Sequence, residues 1–155
     1  MTYLMRGYLP EESELACDVR GLIAQESRDR FKKRLESGLQ WTDHYCHLAL
    51  DRDGQLVGDV QLRHCDKTMP NGVAHIGIDI AESERGKGAG TSALELAWTW
   101  AKNNGFHRLE GSTDITNVAM RRAFEKAGWN FEGTLKNLFI EDGVSHDYLS
   151  FAITT

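Results

Sequence analysis

Ala74-His75-Ile76-Gly77-Ile78-Asp79-Ile80-Ala81-Glu82-Ser83-Glu84-Arg85-Gly86-Lys87-Gly88-Ala89-Gly90-Thr91 is the stretch on which the fold turns. Val73–Ile80 has the composition of a strand. Thr91–Lys102 has helical spacing, with Leu94, Ala97, Trp98 and Ala101 on one stripe. Between them the glycines allow backbone N–H groups to converge on an anion, and the helix N-terminus adds partial positive charge. Arg85 and Lys87 add two cations. The chemistry this suggests is phosphate or pyrophosphate binding.

Other readings of the turn fit less well. A plain surface loop leaves the glycines between a strand and a helix start unexplained. A P-loop needs Gly-x-x-x-x-Gly-Lys-[Ser/Thr], which is absent. Gly88-Ala89-Gly90-Thr91-Ser92-Ala93 satisfies the dinucleotide pattern Gly-x-Gly-x-x-Ala, and Glu110 lies near the distance of a ribose-binding acid. In that fold, however, the glycines follow the strand directly, whereas here Glu82–Lys87 intervenes.

Outward from the turn, Tyr3–Tyr8 reads as a short strand. Pro10 opens a helix with Leu15, Val19, Leu22 and Ile23 on its apolar face. Ser27 is placed to cap a second helix carrying Phe31, Leu35 and Leu39, ending at Gly38. Tyr45–Leu50 and Leu56–Leu62 read as a hairpin about Asp53-Gly54. Downstream come a strand at Leu109–Thr113, a helix at Asn117–Ala127 stopped by Gly128, and strands at Asn130–Ile140 and His146–Ile153 turning at Asp142-Gly143. The order is β-α-α-β-β-β-α-β-α-β-β, an α/β arrangement with a mixed sheet and helices on both faces.

The chain of 155 residues is one domain in length, 41% hydrophobic and 26% charged. No apolar run is long enough to cross a bilayer, and the first residues lack a signal-peptide pattern, so a cytoplasmic location is expected and no membrane partner. Cys17, Cys46 and Cys65 are odd in number and widely spaced, which excludes a disulfide framework. His44, Cys46 and His47 cluster, but on a strand His44 and Cys46 share one face and His47 the other, and no second ligand pair follows; no metal is expected. A net charge of −5 argues against nucleic acid and suits a cationic amine mildly.

Arg85-x-x-Gly88-x-Gly90 resembles the pyrophosphate motif Arg/Gln-x-x-Gly-x-Gly/Ala of the GNAT N-acetyltransferases. Asn117-Val118-Ala119-Met120-Arg121-Arg122-Ala123-Phe124-Glu125-Lys126-Ala127-Gly128-Trp129 looks like that family's second motif. Phe131-Glu132-Gly133-Thr134-Leu135, Asp142-Gly143…His146-Asp147 and Arg108-Leu109-Glu110 resemble the RimJ/RimL-like branch. The similarity runs from about Tyr45 onward; the first two helices match only in type and order.

The resemblance implies a GNAT-type, mostly antiparallel sheet in which the strand before the turn splays from the next at a bulge. Acetyl-CoA is the implied cofactor. Its pantetheine would pair with backbone near Ile78 and Ile80, and its pyrophosphate would lie on amides of Arg85, Gly86, Lys87, Gly88, Ala89, Gly90 and Thr91. Asn117 and Lys126 would hold it from the second helix. A primary amine, on a protein N-terminus, a polyamine or another small molecule, would attack the thioester directly in a ternary complex, with a strand N–H stabilising the oxyanion. A homodimer is compatible with this reading. The acceptor cleft would be shaped by the first two helices, the loop Arg63–Gly72, Trp41 and Tyr45.

A lysine-like amine of pKa near 10.4 is neutral at pH 7 about once in 2,500 molecules, so deprotonating it costs roughly 4.6 kcal/mol; an α-amine costs about 1 kcal/mol. The candidate bases are Glu110 first, then His75, which stands where relatives often carry Glu, then Asp79. For the acid, relatives use Tyr where this chain has Phe124, or Ser where it has Met120. Both are apolar here, which leaves water or Tyr148 to protonate the thiolate and raises the alternative of a degenerate acyl-CoA-binding or sensing domain. The alternative reading of Phe124 is a core residue.

Overall fold

A computed structural model describes residues 2–36, 41 and 43–155. The strands are β1 (Tyr3–Arg6), β2 (Tyr45–Arg52), β3 (Gln55–Arg63), β4 (Val73–Ile80), β5 (Arg108–Asp114), β6 (Asn130–Glu141) and β7 (Val144–Thr154). The helices are α1 (Ser13–Val19), α2 (Gln25–Leu35), α3 (Ala89–Asn103) and α4 (Val118–Lys126). The element order is the one the sequence predicts, with single 3₁₀ turns at Pro10–Glu12 and Glu82–Glu84 added.

The strands form one seven-stranded sheet in the order β1-β2-β3-β4-β5-β7-β6. Every pairing is antiparallel except β4 with β5. That exception follows from connectivity: α3 crosses over between the two strands, and a crossover of this kind returns the chain parallel. One face of the sheet carries the larger core, where Leu48, Val60, Leu62, Ala74 and Ile76 meet Ala93, Leu94 and Ala97 of α3 and Phe124 of α4. The opposite face carries α1 and α2, through Ala16, Cys17 and Phe31 packed on Ala49 and Leu56.

β4 and β5 pair only at Val73–Arg108, Ala74–Leu109 and His75–Glu110. Beyond His75, β4 pairs with β3 alone; beyond Glu110, β5 pairs with β7 alone. The two central strands therefore part toward their C-terminal ends. The register of β4 on β3 is unbroken from Gly58–Ile80 to Arg63–His75, so the parting needs no bulge in β4, contrary to the expectation. At the apex of the gap Gly111 is required by packing: a Cβ there would lie 2.9 Å from both Ile76 Cγ2 and Phe124 Cζ.

Several local expectations are corrected. The first helix ends at Val19, so Ile23 is almost fully exposed and Leu15 about half exposed, while Ala16, Cys17 and Val19 form the buried face. The second helix is capped at Ala24 rather than Ser27, which lies inside it; Gly38 and Leu39 lie outside the described residues. His44 precedes β2 with φ of 70° and does not share a strand face with Cys46. α3 begins two residues earlier than Thr91, at Ala89.

Candidate functional site

The turn after β4 is built around left-handed backbone. Gly86 has φ of 76° and Gly88, the N-cap of α3, has φ of 87°, conformations that cost an L-residue roughly 1–2 kcal/mol. A Cβ on either would meet nothing within 4 Å, so the glycines serve backbone conformation and open space rather than packing. Gly90 differs. Its φ is ordinary, and a Cβ would touch Ala123 at 3.6 Å and Met120 at 3.9 Å, so it lets α3 lie close to α4.

The first carbonyl taken by the helix is that of Gly88, by Ser92 N at 3.1 Å, so the N–H groups of Ala89, Gly90 and Thr91 open α3 without partners inside it. They lie at the N-terminal, partially positive end of a 15-residue helix. The arrangement can bind a pyrophosphate.

Contacts not expected from the sequence brace the turn. Arg52 on β2 donates to both carboxylate oxygens of Glu84 at 2.9 and 2.8 Å, and this pairing holds the Glu84 carboxyl below its usual range. Tyr3 donates to the Lys87 carbonyl at 3.3 Å, and Arg85 Nε donates to Ile80 O at 3.2 Å.

Strand pairing fixes which backbone groups face the gap. Ala81 N donates to Val57 O at 2.9 Å, in line with the β3–β4 register, so Asp79 and Gly77 bond to β3 while Ile76, Ile78 and Ile80 turn N–H and C=O toward the gap. On the other side Ile115 N donates to Asp147 O at 3.0 Å, which turns Ser112 and Asp114 toward the gap. An extended ligand can thus lie as an extra strand between β4 and β5, its anionic end on the turn before α3. Asn117 stands at the mouth but is partly committed: its Oδ1 accepts from Met120 N at 3.1 Å to cap α4. Lys126 is exposed one turn beyond Ala123, which faces Gly90.

The three candidate bases share the α1/α2 face of the sheet. His75 and Glu110 are register partners at the apex of the gap. Burial lowers the His75 pKa, with Glu110 opposing that shift and Arg63 reinforcing it. Among the described residues His75 makes no hydrogen bond, whereas Glu110 has Arg108 Nε at 3.4 Å. Asp79 lies further along β4, its pKa raised by burial; Gln61 donates to it at 3.0 Å and Arg20 stands 3.6 Å away.

Tyr148 pairs with Asp114 in register, at the open end of the gap. Its ring lies 5.1 Å from Phe139, and burial raises its pKa. Met120 is half buried near Gly90. Phe124 is a core residue, 2% exposed, stacked on Phe151 at 4.7 Å and edge-on to Trp129 at 5.1 Å.

One cluster on the same face escaped the sequence. Asp59, fully buried on β3, accepts from Tyr8 Oη at 2.5 Å and stands 3.3 Å from His47 Nδ1. A carboxylate inside the apolar run Leu56–Leu62 was the available signal, since an unpaired one could not stay there.

Residues 12–130 match the family described as acetyltransferase (GNAT) domain. A dTDP-fucosamine acetyltransferase of Escherichia coli is 29% identical over 72% of this chain and 46% of its own length. The chain spans 22%, 46% and 66% of the lengths of three curated relatives it matches. Among solved structures, mutant forms of the spermidine/spermine N-acetyltransferase SpeG from Vibrio cholerae superpose with a TM-score of 0.80 at 18% identity, covering 99% of this chain and 95% of that one. Mycobacterium smegmatis RimJ in complex with CoA-disulfide gives 0.75 at 20% identity, covering 97% and 81%.

Proposed function

The chain belongs to the acetyltransferase (GNAT) family, and from that premise we propose that it transfers the acetyl group of acetyl-CoA to a primary amine. The observation that carries this reading is the parting of β4 from β5 directly below the glycine turn that opens α3, where Gly86 and Gly88 take left-handed backbone. The turn residues Gly86 to Thr91 would hold the pyrophosphate of acetyl-CoA, and the backbone of Ile76–Ile80 and Ser112–Asp114 would hold its pantetheine. A gap-facing N–H of β4 would be placed to stabilise negative charge on the acetyl carbonyl oxygen.

The amine approaches from the α1/α2 face. His75 accepts its proton: burial favours the neutral ring, and Glu110 opposite it stabilises the imidazolium that results. Glu110 is thereby a supporting group and Asp79, held by Gln61 and Arg20, a binding one. Tyr148 and water serve as sources of the proton for the thiolate, a fair leaving group since thiols ionise near pH 8.5. The RimJ/RimL-like branch assignment is part of this proposal and is supported by the likeness to RimJ.

The test is calorimetric titration with acetyl-CoA followed by free-thiol detection with an amine panel. Amine-dependent CoA release supports the enzyme. Tight binding without release points to the binding or sensing module.

A further inference from the structure

Arg108 joins two carboxylates on the face of the sheet that carries the candidate bases. Its Nη1 donates to Glu132 Oε2 at 3.0 Å and its Nη2 to the other Glu132 oxygen, while its Nε stands 3.4 Å from Glu110 Oε1. The pairing holds the Glu132 carboxyl below its usual range. It also crosses a whole strand, since β7 lies between β5 and β6. Ala152 of β7, the register partner of both Glu110 and Asn130, is small enough to be spanned. At the same level β6 carries an extra residue: Phe131 pairs with Phe151 and Gly133 with Ser150, which leaves Glu132 between them in a bulge. A bulge re-aims side chains, and here it presents Glu132 to the guanidinium.

The division of Arg108 between the two acids is unequal. Both terminal nitrogens go to Glu132, and Glu110 meets only Nε, at the longer distance. The three groups together carry one negative charge, and Glu110 presents it to His75, its partner across the parallel pair at about 4.8 Å between strands. The other charged groups around His75 are Arg63, its register partner on β3, Asp79 on β4, engaged by Gln61 and Arg20, and Arg34 of α2, stacked on Tyr45. Burial and Arg63 disfavour the imidazolium, and Glu110 is the carboxylate that opposes them.

We propose that Arg108 and Glu132 are positioning residues for the proton-accepting pair: Glu132 draws the guanidinium toward β6, and Arg108, so held, keeps the Glu110 carboxylate beside His75 without neutralising it. This rests on the acetyl-transfer reading and extends its base from two strands to the β6 edge of the sheet. Loss of the Glu132 charge lets Arg108 pair fully with Glu110, and the imidazolium loses support. Loss of Arg108 removes a cation from Glu110, and the imidazolium gains support. The two changes act with opposite sign.

The test follows the His75 imidazole by proton NMR titration, its resonance identified by its absence in His75→Gln, beside pH profiles of kcat/KM for whichever amine of the panel turns over. Glu132→Gln, which keeps the shape of the side chain, should lower the His75 pKa by about 0.2–0.7 of a pH unit, the worth of a partly exposed ion pair. The acidic limb of kcat/KM should move down with it. Arg108→Gln should move both upward, and Arg108→Lys, which keeps the charge, should return them toward the parent. Glu141→Gln, at the far end of β6, should leave both unchanged. In a Glu110→Gln background the effect of Glu132→Gln should vanish, because the coupling runs through Glu110. A His75 titration that stays in place or rises in Glu132→Gln, or that falls equally in the Glu110→Gln background, overturns the proposal. If Arg108→Gln does not fold, Glu132→Gln and its double variant decide alone. If no amine releases CoA, the acetyl-transfer reading fails, and the titration, which needs no acceptor, still decides the network.

Discussion

Phe124→Tyr separates a core ring from a catalytic position. The ring is 2% exposed and stacked on Phe151, and its Cζ would stand 2.9 Å from a Cβ on Gly111, so the tip already abuts β5. A hydroxyl added at that tip is both unpaired and overpacked. An unpaired buried hydroxyl costs about 1–3 kcal/mol, and forcing extra volume into a filled core costs about 1–3 kcal/mol more. At roughly 2–4 °C per kcal/mol for a chain of this size, the combined cost of about 2–6 kcal/mol should lower the melting temperature by roughly 4–24 °C. Turnover should not rise, because the tip faces packed backbone at the apex. The assay is a thermal melt and a steady-state rate on one preparation. A variant as stable as the parent would mean that the hydroxyl has found a partner, for instance Trp129 Nε1, a buried donor without one among the described residues. A faster variant would restore the position to catalysis. Either result refutes the core assignment.

Gly88→Ala should lose about 1–2 kcal/mol of stability from its left-handed backbone and weaken acetyl-CoA binding by calorimetry, whereas Gly90→Ala should keep both near the parent, its Cβ making only ordinary contacts. Burial depresses the His75 pKa, so kcat/KM should rise with pH below about 6.5 and level above it, and His75→Gln should remove that limb; a pH profile unchanged in the variant moves the base to Glu110 or Asp79. The depressed folded value also means that the stability contributed by neutral His75 is present above about pH 6.5 and lost as pH falls through the folded pKa. Glu84→Gln, which breaks the bidentate pair with Arg52, should weaken acetyl-CoA binding with the sheet intact by circular dichroism.

The turn and the order of elements along the chain were legible because local chemistry dictates them. Glycine before a helix, Asp-Gly between apolar runs and apolar periodicity each act within a few residues. The difference between Gly88 and Gly90 was not legible, since one answers to its own φ and the other to Ala123 and Met120 on a different helix. Arg52–Glu84 and the Tyr8–Asp59–His47 cluster join residues far apart in sequence, and the order of elements does not set side-chain direction. The first helix was read too long because Leu22 and Ile23 continue its apolar spacing after Gly21, at φ of 68°, has ended it. Phe124 was ambiguous for a similar reason: helical spacing says that a face is buried, and only the sheet opposite says what it is buried against.

A crystal structure of the acetyl-CoA complex tests most directly whether the gap between β4 and β5 holds the thioester. Pantetheine is expected between Ile76–Ile80 and Ser112–Asp114, pyrophosphate on the turn Gly86 to Thr91, and the acetyl carbonyl within hydrogen-bond distance of a gap-facing N–H of β4. Cofactor bound elsewhere, or β4 and β5 paired along their full length with the gap closed, would contradict it.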